Sequence, residues 1–316
     1  MSEILVLSHA EVERLLPMDE CIDLMADALA DLARGKVYNP LRFPLRPPEG
    51  RNLLGLMPAH REPVWALKEV VVEPRNAARG LDSHQGAVLL HDDDTGELRA
   101  VMNASAITAI RTAGVSAVAS RALARENVES VAILGAGVQA RSHLEALRIV
   151  HSDATFRVFS RTREHAERLG IEAADSAQEA VRDADVVTTV TSAREPVLRR
   201  AWLAPGAHVN AVGSSIPTTR ELDTETMASA SLFVDRREST LNEAGDYLLA
   251  AEEGAIGPDR IVAELGEVLT GAHPGRRSDD ELTVFKSLGL AIEDLAAAEH
   301  VYRKARGTGS GTAVEF

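Results

Sequence analysis

A glycine-rich turn between two regular segments is the clearest chemical feature of this 316-residue sequence. The apolar run Ser130–Leu134 leads directly into Gly135-Ala136-Gly137-Val138-Gln139-Ala140, and a segment compatible with a helix follows. In such a strand–turn–helix unit, Gly135 permits the tight turn, Gly137 lets a diphosphate approach backbone N–H groups, and Ala140 packs the helix against the strand. A Gly-x-Gly turn alone is a weak signal, but this context predicts a dinucleotide site.

The turn after the next predicted strand carries basic and hydroxyl side chains, Ser160-Arg161-Thr162-Arg163. Domains that hold the ribose 2′-hydroxyl of NADH usually have an Asp or Glu at this point. Arg161 can instead pair with a 2′-phosphate, and the hydroxyls of Ser160 and Thr162 can donate to it. The sequence therefore predicts NADPH in preference to NADH. The alternative, a solvated charged turn, leaves the missing acid unexplained.

Lys68 is an isolated ammonium in the apolar segment Trp65–Val72. Strand alternation places it on one face with Ala66 and Val70. It is either a functional cation or a lysine that protects an edge strand from unwanted pairing.

Arg111 is the only charged residue between Asn103 and Arg121, in a predicted helix otherwise made of Ala, Ile, Val, Ser, Thr and Gly. A guanidinium in such surroundings needs a partner. It could bind a carboxylate or the cofactor. Equally, it could form an interhelical ion pair or face solvent.

Other polar residues give weaker signals. Arg42 lies in a Pro-rich stretch and, taken alone, is interpreted as an ordinary surface arginine. Ser83-His84-Gln85 precedes a predicted strand, where a lone histidine usually makes structural hydrogen bonds. The chain lacks the HExxH pattern and paired Cys/His spacing, so no metal site is predicted.

The elements that must position these residues fall into two regions. The first is predicted to be a mixed or antiparallel sheet, with an exposed Pro-rich loop over Asn39–Gly50 and a hairpin turn over Asp92–Gly96. A helix over Ser105–Ala124 follows it. The predicted strands of this region are Leu53–Met57, Trp65–Glu73, Gly86–His91 and Leu98–Met102.

From Val128 onward, strands and helices alternate as in a doubly wound parallel sheet of the Rossmann type, so an α/β fold is predicted. Residues 125–289 are assigned to this dinucleotide-binding domain, and residues 1–124 with 290–316 to the other domain. A final helix over about Leu290–Arg306 can return to the first domain, and the Gly/Ser-rich tail Gly307–Thr312 is expected to be mobile. The predicted strands of the second region are Ser130–Leu134, Thr155–Ser160, Val186–Thr191, His208–Val212 and Leu232–Val234.

Composition narrows the possible partners. The formal net charge of −14 would repel nucleic acid and anionic membrane surfaces. Hydrophobic residues make up 45% but aromatic residues only 3%, so Ala, Val and Leu are expected to fill the interior. Cys21, the single cysteine, occupies an apolar position of a predicted helix. The acidic start is unlike a signal peptide and no apolar run could cross a bilayer, so a soluble cytoplasmic protein is expected.

With these motifs identified, the whole chain resembles the ornithine cyclodeaminase/mu-crystallin family, and most closely its mu-crystallin-like ketimine reductase branch. The resemblance extends over nearly every residue. The segments that carry it are Leu56–Ala59, Ser83–Gln85, Ile107–Val115 with its Arg-Thr-Ala core, Gly135–Ala140, Asn210–Ser215, Glu264–Val268 and Thr283–Gly289.

This resemblance implies roles for individual residues. It implies that Arg42, Lys68 and Arg111 gather around a substrate carboxylate beside the nicotinamide, which replaces the surface interpretation of Arg42. It also implies a homodimer formed through the first, substrate-binding domain. The residues implied around the cofactor are Ser83, His84, Thr112, Val138, Gln139, Thr191, Val212 and Ser287.

One departure from the family pattern bears on the activity. Ser215 stands where cyclodeaminases have a catalytic aspartate. Cyclodeamination needs that carboxylate to manage protons and water, whereas imine reduction needs only hydride delivery to a charged iminium. The resemblance and this departure predict NADPH-dependent reduction of a small cyclic or N-alkyl imino acid (a ketimine). Lys68 would supply or hold the imine proton, and Ser215 and Glu243 would line the pocket wall.

Three alternatives stay open at this point. The chain could be an amino-acid dehydrogenase that works on a keto acid and ammonia, or a true ornithine cyclodeaminase. It could also be a crystallin-like protein that binds NADPH without turnover.

Overall fold

The computed structural model describes residues 3–49 and 52–316. In chain order the strands are β1 (Glu3–Leu7), β2 (Phe43–Leu45), β3 (Leu53–Arg61), β4 (Val64–Val72), β5 (His84–Asp92), β6 (Leu98–Asn103), β7 (Ser130–Leu134), β8 (Thr155–Phe159), β9 (Glu172–Ala173), β10 (Val186–Thr189), β11 (His208–Ala211), β12 (Ser231–Val234), β13 (Ile261–Glu264), β14 (Thr283–Lys286) and β15 (Thr312–Glu315). The α-helices are α1 (His9–Leu15), α2 (Met18–Ala33), α3 (Ala104–Leu123), α4 (Val138–Val150), α5 (Arg163–Glu167), α6 (Ala177–Val181), α7 (Thr224–Ser229), α8 (Arg237–Glu243), α9 (Gly245–Glu252), α10 (Leu265–Leu269) and α11 (Ala291–Thr308).

The chain folds into two compact units, Met1–Arg111 with Leu290–Phe316, and Thr112–Gly289. The division falls inside α3, after Arg111, whereas the sequence places the domain boundary at residue 124, after the helix. The two boundaries differ because the sequence boundary is placed where strands and helices begin to alternate. That alternation begins only after α3 has ended.

The first unit contains a seven-stranded sheet in the order β15-β1-β6-β5-β4-β3-β2. Strands β1 and β6 are parallel, and the other neighbouring pairs are antiparallel. The predicted hairpin between β5 and β6 is confirmed: the N–H of Gly96 donates to the carbonyl of Asp92 at 3.0 Å, and Gly96 has a φ of +72° that favours glycine. Helix α11 packs against β3, β4, β5 and α2.

Two predictions for this unit need correction. The Pro-rich stretch is not loop throughout, because Phe43–Leu45 pairs with β3 as an exposed edge strand, a position that accepts Pro44. Gly50, the end of that stretch, lies outside the described residues. The prediction of a mobile tail is wrong: α11 continues to Thr308, Gly309 ends it in a left-handed conformation, and β15 then pairs with β1.

The second unit contains an eight-stranded sheet in the order β13-β12-β14-β11-β10-β7-β8-β9, with all neighbouring pairs parallel. This confirms the predicted doubly wound α/β fold, although β9, β13 and β14 were not predicted because such short segments have no clear periodicity. From β7 the chain builds β8 and β9 on one side and then β10 and β11 on the other. The carboxyl ends of β7 and β10 thus form the switch point at which such sheets bind ligands.

Small aliphatic side chains fill the interior, as the composition predicts. Val187, Val209, Leu232 and Val284 are all fully buried in the second unit. Cys21 is buried in α2 of the first unit, and burial raises the pKa of its thiol to about 12, so it packs as a small apolar side chain. Across residues 3–49 and 52–316, no helix combines the length and the apolar character needed to cross a lipid bilayer.

Candidate active site

The predicted glycine turn joins β7 to α4. Gly135 has a φ of +120°, and a Cβ at this position would lie 2.7 Å from the carbonyl oxygen of Val190, so glycine is required. Gly137 is the exposed N-cap of α4, and a Cβ there would meet no atom of the described part of the chain within 4 Å, apart from its own neighbours. The turn therefore leaves open space in front of the first N–H groups of a 13-residue helix.

Most of the cofactor residues predicted for the second unit lie along one edge of its sheet. The parallel register places Leu134 opposite Phe159 and Thr189, and places Ala211 opposite Thr189 and Lys286. The residues that follow these strand ends are therefore neighbours at the carboxyl edge. They are Gly135, Gly137, Val138, Gln139, Ser160, Thr191, Val212 and Ser287.

Ser287 has an open hydrogen-bonding group at this edge. It is 1% exposed, and its hydroxyl oxygen makes no hydrogen bond with any residue that the structure describes. A buried hydroxyl is costly unless a ligand or a water molecule pairs with it. Together with the open helix N-terminus at Gly137, this hydroxyl fits the anionic and polar groups of a dinucleotide.

The turn after β8 contains two arginines in different states. Arg163 is held by ion pairs with Glu167 and Asp175. Arg161 is exposed and forms no ion pair within residues 3–49 or 52–316. Its neighbours in the chain are Ser160, which is half-buried, and Thr162, which is exposed and is the N-cap of α5. Arg161 is therefore the cation of this turn that can meet an external anion.

In the first unit, Lys68 lies on the buried face of β4, an internal strand between β3 and β5. This position excludes the edge-strand interpretation. The side chain is 3% exposed, and its Nζ lies 2.8 Å from Oδ2 of Asp294 in α11. Burial lowers the pKa of Lys68 to about 8; Asp294 opposes this effect, and the charges of Arg111 and Arg42 reinforce it. The ammonium therefore gives up its proton more readily than an ordinary lysine.

Arg111 contacts the same carboxylate. Its Nε lies 3.0 Å from Oδ1 of Asp294, and its Nη1 lies 2.6 Å from Oε2 of Glu293. The sequence left open whether Arg111 forms an interhelical ion pair or faces solvent. The structure shows the buried ion pair, so the solvent-facing alternative is wrong. Burial lowers the pKa of Arg111, but the two carboxylates more than offset this, so the net shift is upward and the guanidinium stays charged.

Arg42 and His84 lie close enough to act electrostatically within this cluster. Arg42 is half-buried, and its charge is one of those that lower the pKa of Lys68. The Nδ1 of His84 lies 2.9 Å from the hydroxyl of Ser83. His84 is an exposed residue, yet protein atoms around its ring and, after them, the charges of Lys68 and Arg111 lower its pKa, which favours the neutral imidazole.

The remaining predicted residues belong to the second unit. Thr112 is buried in α3, Ser215 is half-buried after β11, and Glu243 is half-buried at the end of α8. The structure thus gathers the candidate residues into two groups. Arg42, Lys68, Ser83, His84 and Arg111 form the group of the first unit.

Sequence reasoning missed the anions that hold the cations of the first unit. Glu293 and Asp294 are buried in α11, at 0% and 1% exposure. Their signal was present, because two adjacent acids in the otherwise apolar run Leu290–Ala298 need partners as much as Arg111 does. Buried charges of the second unit were missed as well: Glu221, Asp246 and Lys286.

Comparison with known proteins shows which family and which enzymes the chain is similar to. The ornithine cyclodeaminase/mu-crystallin family matches the chain over residues 2–309. The ketimine reductase mu-crystallin of Mus musculus is 44% identical over 286 residues, which cover 87% of this chain and 88% of the mouse protein.

Two solved structures are similar to this chain in fold over nearly its whole length. The delta(1)-pyrroline-2-carboxylate reductase of Thermococcus litoralis, in complex with NADH and L-proline, has a TM-score of 0.94 at 38% identity, covering 98% of this chain and 100% of that chain. An archaeal alanine dehydrogenase dimer with bound NAD has a TM-score of 0.95 at 35% identity, covering 100% of both chains.

Proposed function

Because the chain belongs to the ornithine cyclodeaminase/mu-crystallin family, we propose that it reduces a small cyclic or N-alkyl imino acid to the amino acid with NADPH. The observation that carries the proposal is the pair of buried cations, Lys68 and Arg111, held on the carboxylate of Asp294. Two relatives that act on imines, the mouse ketimine reductase and the pyrroline-carboxylate reductase, support the reaction class.

NADPH, when bound, supplies the hydride. Gly135 and Gly137 open the N-terminus of α4 to the diphosphate, while Arg161 pairs with the 2′-phosphate and Ser160 and Thr162 donate to it. The other residues at the carboxyl edge of the parallel sheet complete the cofactor site with their hydroxyl and amide groups. The two solved relatives contain NADH and NAD. The exposed Arg161 therefore supports a cofactor preference in which this chain differs from them.

The cations of the first unit are proposed to bind the substrate carboxylate. Arg111 is permanently charged, and Lys68, with a pKa of about 8, is cationic at neutral pH yet able to act as an acid. Hydride addition to the imine carbon requires a proton on the nitrogen, which Lys68 supplies or holds. Arg42 adds a third cation, and the neutral His84 can accept or donate a hydrogen bond without adding charge.

Ser215 separates this proposal from cyclodeamination. A half-buried hydroxyl cannot serve as a base near neutral pH, whereas attack of the side-chain amine on the imine carbon, with loss of ammonia, needs one. Reduction of a preformed imine has no such need. Ser215 and Glu243 are therefore proposed as parts of the pocket wall.

The test follows NADPH oxidation by absorbance with pyrroline-2-carboxylate and piperideine-2-carboxylate, and repeats it with NADH. Turnover of either imine with NADPH is expected, and Lys68→Ala should lose most of it while still binding NADPH. Full turnover by a Lys68→Ala protein would contradict the mechanism. Conversion of ornithine to proline without net NADH formation would instead identify a cyclodeaminase.

The likeness to alanine dehydrogenase favours one second candidate, reductive amination of a keto acid. The two reactions differ in whether the imine arrives preformed. Comparing kcat/KM for pyrroline-2-carboxylate with that for pyruvate plus ammonia distinguishes them. If NADPH binds and none of these compounds oxidises it, the protein is a binding protein.

We also propose a homodimer formed through the first unit. The outward face of β4 presents Trp65 and Val71, 41% and 37% exposed, and the edge strand β2, which β3 separates from β4, presents the exposed Phe43 and Leu45. Exposed apolar patches of this kind mark interaction surfaces, and one solved relative is a dimer. Light scattering should give twice the chain mass for the wild type and a smaller mass for Val71→Arg. Ile149→Arg, at an apolar position of α4 that is 46% exposed, is the control.

A further inference from the structure

A buried carboxylate, that of Glu221, holds two backbone N–H groups at the carboxyl edge of the parallel sheet. The residue is 0% exposed. Its Oε1 accepts from the N–H of Thr191 at 2.6 Å, and its Oε2 accepts from the N–H of Gly213 at 2.7 Å and from the hydroxyl of Thr189 at 2.8 Å. Thr191 follows β10 and Gly213 follows β11. One side chain therefore ties two adjacent strand ends together.

Glu221 is itself held by a second buried carboxylate. Its N–H donates to Oδ1 of Asp246 at 2.7 Å, and Oδ2 of Asp246 lies 3.1 Å from Nζ of Lys286. Lys286, the last residue of β14, donates from Nζ to the carbonyl of Ala211 at 3.0 Å. The next residue after it is Ser287, whose hydroxyl is open. A continuous buried network thus joins the ends of β10, β11 and β14.

Gly213 shows how tightly these segments are packed. A Cβ at this position would lie 2.1 Å from the carbonyl oxygen of Thr191 and 2.6 Å from the carboxyl carbon of Glu221. No side chain can be accommodated there without moving the backbone of one of the two segments. The arrangement of both segments therefore depends on Gly213 and Glu221 together.

Stability alone is a poor reason for this arrangement. Burial and the charge of Asp246 raise the pKa of Glu221, so its ionised form is disfavoured where it sits. Buried ion clusters are often no more stable than apolar residues of similar volume. A costly buried cluster under a ligand-binding edge is better explained by the backbone positions that it fixes.

We propose that Glu221 is a positioning residue for the cofactor. By holding the N–H groups of Thr191 and Gly213, it sets the course of the two segments, 190–193 and 212–215, that contribute Thr191, Val212 and Ser215 to the candidate site. This inference rests on the proposed function, since it assumes that a nicotinamide dinucleotide binds at the carboxyl edge. Glu221 acts through these segments and not by contact with the cofactor.

The test uses Glu221→Gln in the full chain. The amide keeps the size of the side chain but turns one acceptor oxygen into a donor, which leaves a buried N–H without a partner. The Kd for NADPH, measured from the change in its fluorescence on binding in the absence of substrate, should rise about tenfold. The KM for pyrroline-2-carboxylate at saturating NADPH should rise by a smaller factor than this Kd, because the cations that bind the substrate carboxylate are untouched and only the pocket wall at Ser215 shifts.

Asp185 offers a matched control in the same sheet. It is also buried, and its Oδ2 accepts from the N–H groups of Glu129 and Ser130 at 2.9 and 3.0 Å, at the opposite, amino edge. Asp185→Asn should lower the melting temperature as Glu221→Gln does, but leave the Kd for NADPH unchanged. A second variant, Gly213→Ala, disturbs the two segments without removing a charge and should also raise this Kd.

The outcomes separate the inference from the function on which it rests. If the wild type binds neither NADPH nor NADH, the proposed function fails. If the wild type binds NADPH and Glu221→Gln binds it equally well, the positioning role is wrong and the function stands. An equal rise in Kd for Asp185→Asn would also overturn the role, since the effect would then be general destabilisation. Should Glu221→Gln fail to fold, an unchanged Kd for Gly213→Ala would overturn it.

Discussion

Lys68 and Arg111 are held by opposite oxygens of one carboxylate, with Oδ2 of Asp294 2.8 Å from Lys68 Nζ and Oδ1 3.0 Å from Arg111 Nε. Two like charges can be buried close together because the anion lies between them. Asp294 also opposes the effect of burial on the pKa of Lys68. The acidity of the proposed proton donor therefore depends on a residue of another element.

Asp294→Asn should shift the pH profile of the enzyme. Without the carboxylate, burial and the charges of Arg111 and Arg42 lower the pKa of Lys68 further below its present value of about 8. Lys68 is cationic below its pKa and neutral above it, so activity that needs the cation is present at lower pH and falls as the pH rises through that value. The basic limb of kcat/KM for pyrroline-2-carboxylate should lie near pH 8 in the wild type and at lower pH in the variant. Glu20→Gln, which removes a half-exposed carboxylate paired with Lys304, is the control. An unmoved basic limb in Asp294→Asn would contradict this account.

Arg111→Met should strongly destabilise the fold. The substitution leaves Glu293 and Asp294 buried with only part of their counter-charge, a loss that typically amounts to about 3–5 kcal/mol. Urea denaturation measures the free energy of unfolding. The ion pair of Arg61 with Glu299, 2.8 Å long but partly exposed, provides the comparison, and Arg61→Met should cost about 1 kcal/mol or less. Similar losses for the two variants would show that the buried pairs do not hold the first unit together.

Arg161→Ala should change cofactor preference without changing the reaction. Charge-assisted hydrogen bonds contribute about 1.5–3 kcal/mol, so the KM for NADPH should rise roughly 10- to 150-fold. The KM for NADH, which has no 2′-phosphate, should stay as it was. Arg163→Ala is the control because Arg163 is already paired with Glu167 and Asp175. Equal effects on the two cofactors would refute the assignment of Arg161.

The two glycines of the turn should respond differently to substitution by alanine. Gly137→Ala meets no neighbouring atom in the described structure, so the melting temperature should stay near that of the wild type while the Kd for NADPH rises. Gly135→Ala puts a Cβ 2.7 Å from the carbonyl oxygen of Val190 at a φ of +120°, and such strain costs about 1–3 kcal/mol. Thermal denaturation and NADPH titration of both variants check this. Undiminished NADPH binding by Gly137→Ala would mean that the diphosphate lies elsewhere.

The features that the sequence predicted well are local ones. The glycine turn occupies consecutive residues between a strand and a helix, and the alternation around Lys68 already placed it on the face that is buried in β4. The anionic partners could not be located in this way, because Asp294 lies 183 positions from Arg111. Periodicity shows which residues share a face, but not which distant element packs on that face.

Short terminal segments were the least predictable part of the fold. The composition of Gly307–Thr312 resembles a flexible linker, yet Gly309 serves as a left-handed helix end and Thr312 begins a strand. The strand β15 forms because β1 offers it an unpaired edge, and no property of the tail itself reveals that edge. Tertiary pairing here overrides local preference.

The position of α11 at the end of the chain has a consequence for synthesis on the ribosome. At about 5–20 residues per second, Asp294 is made roughly 9–37 seconds after Arg111. During that interval the nascent chain carries Lys68 and Arg111 without the carboxylate that allows them to be buried. The second unit, continuous from Thr112 to Gly289, is by then fully translated. The first unit is thus begun first and completed last, and its cationic site closes only when the final helix has been synthesised.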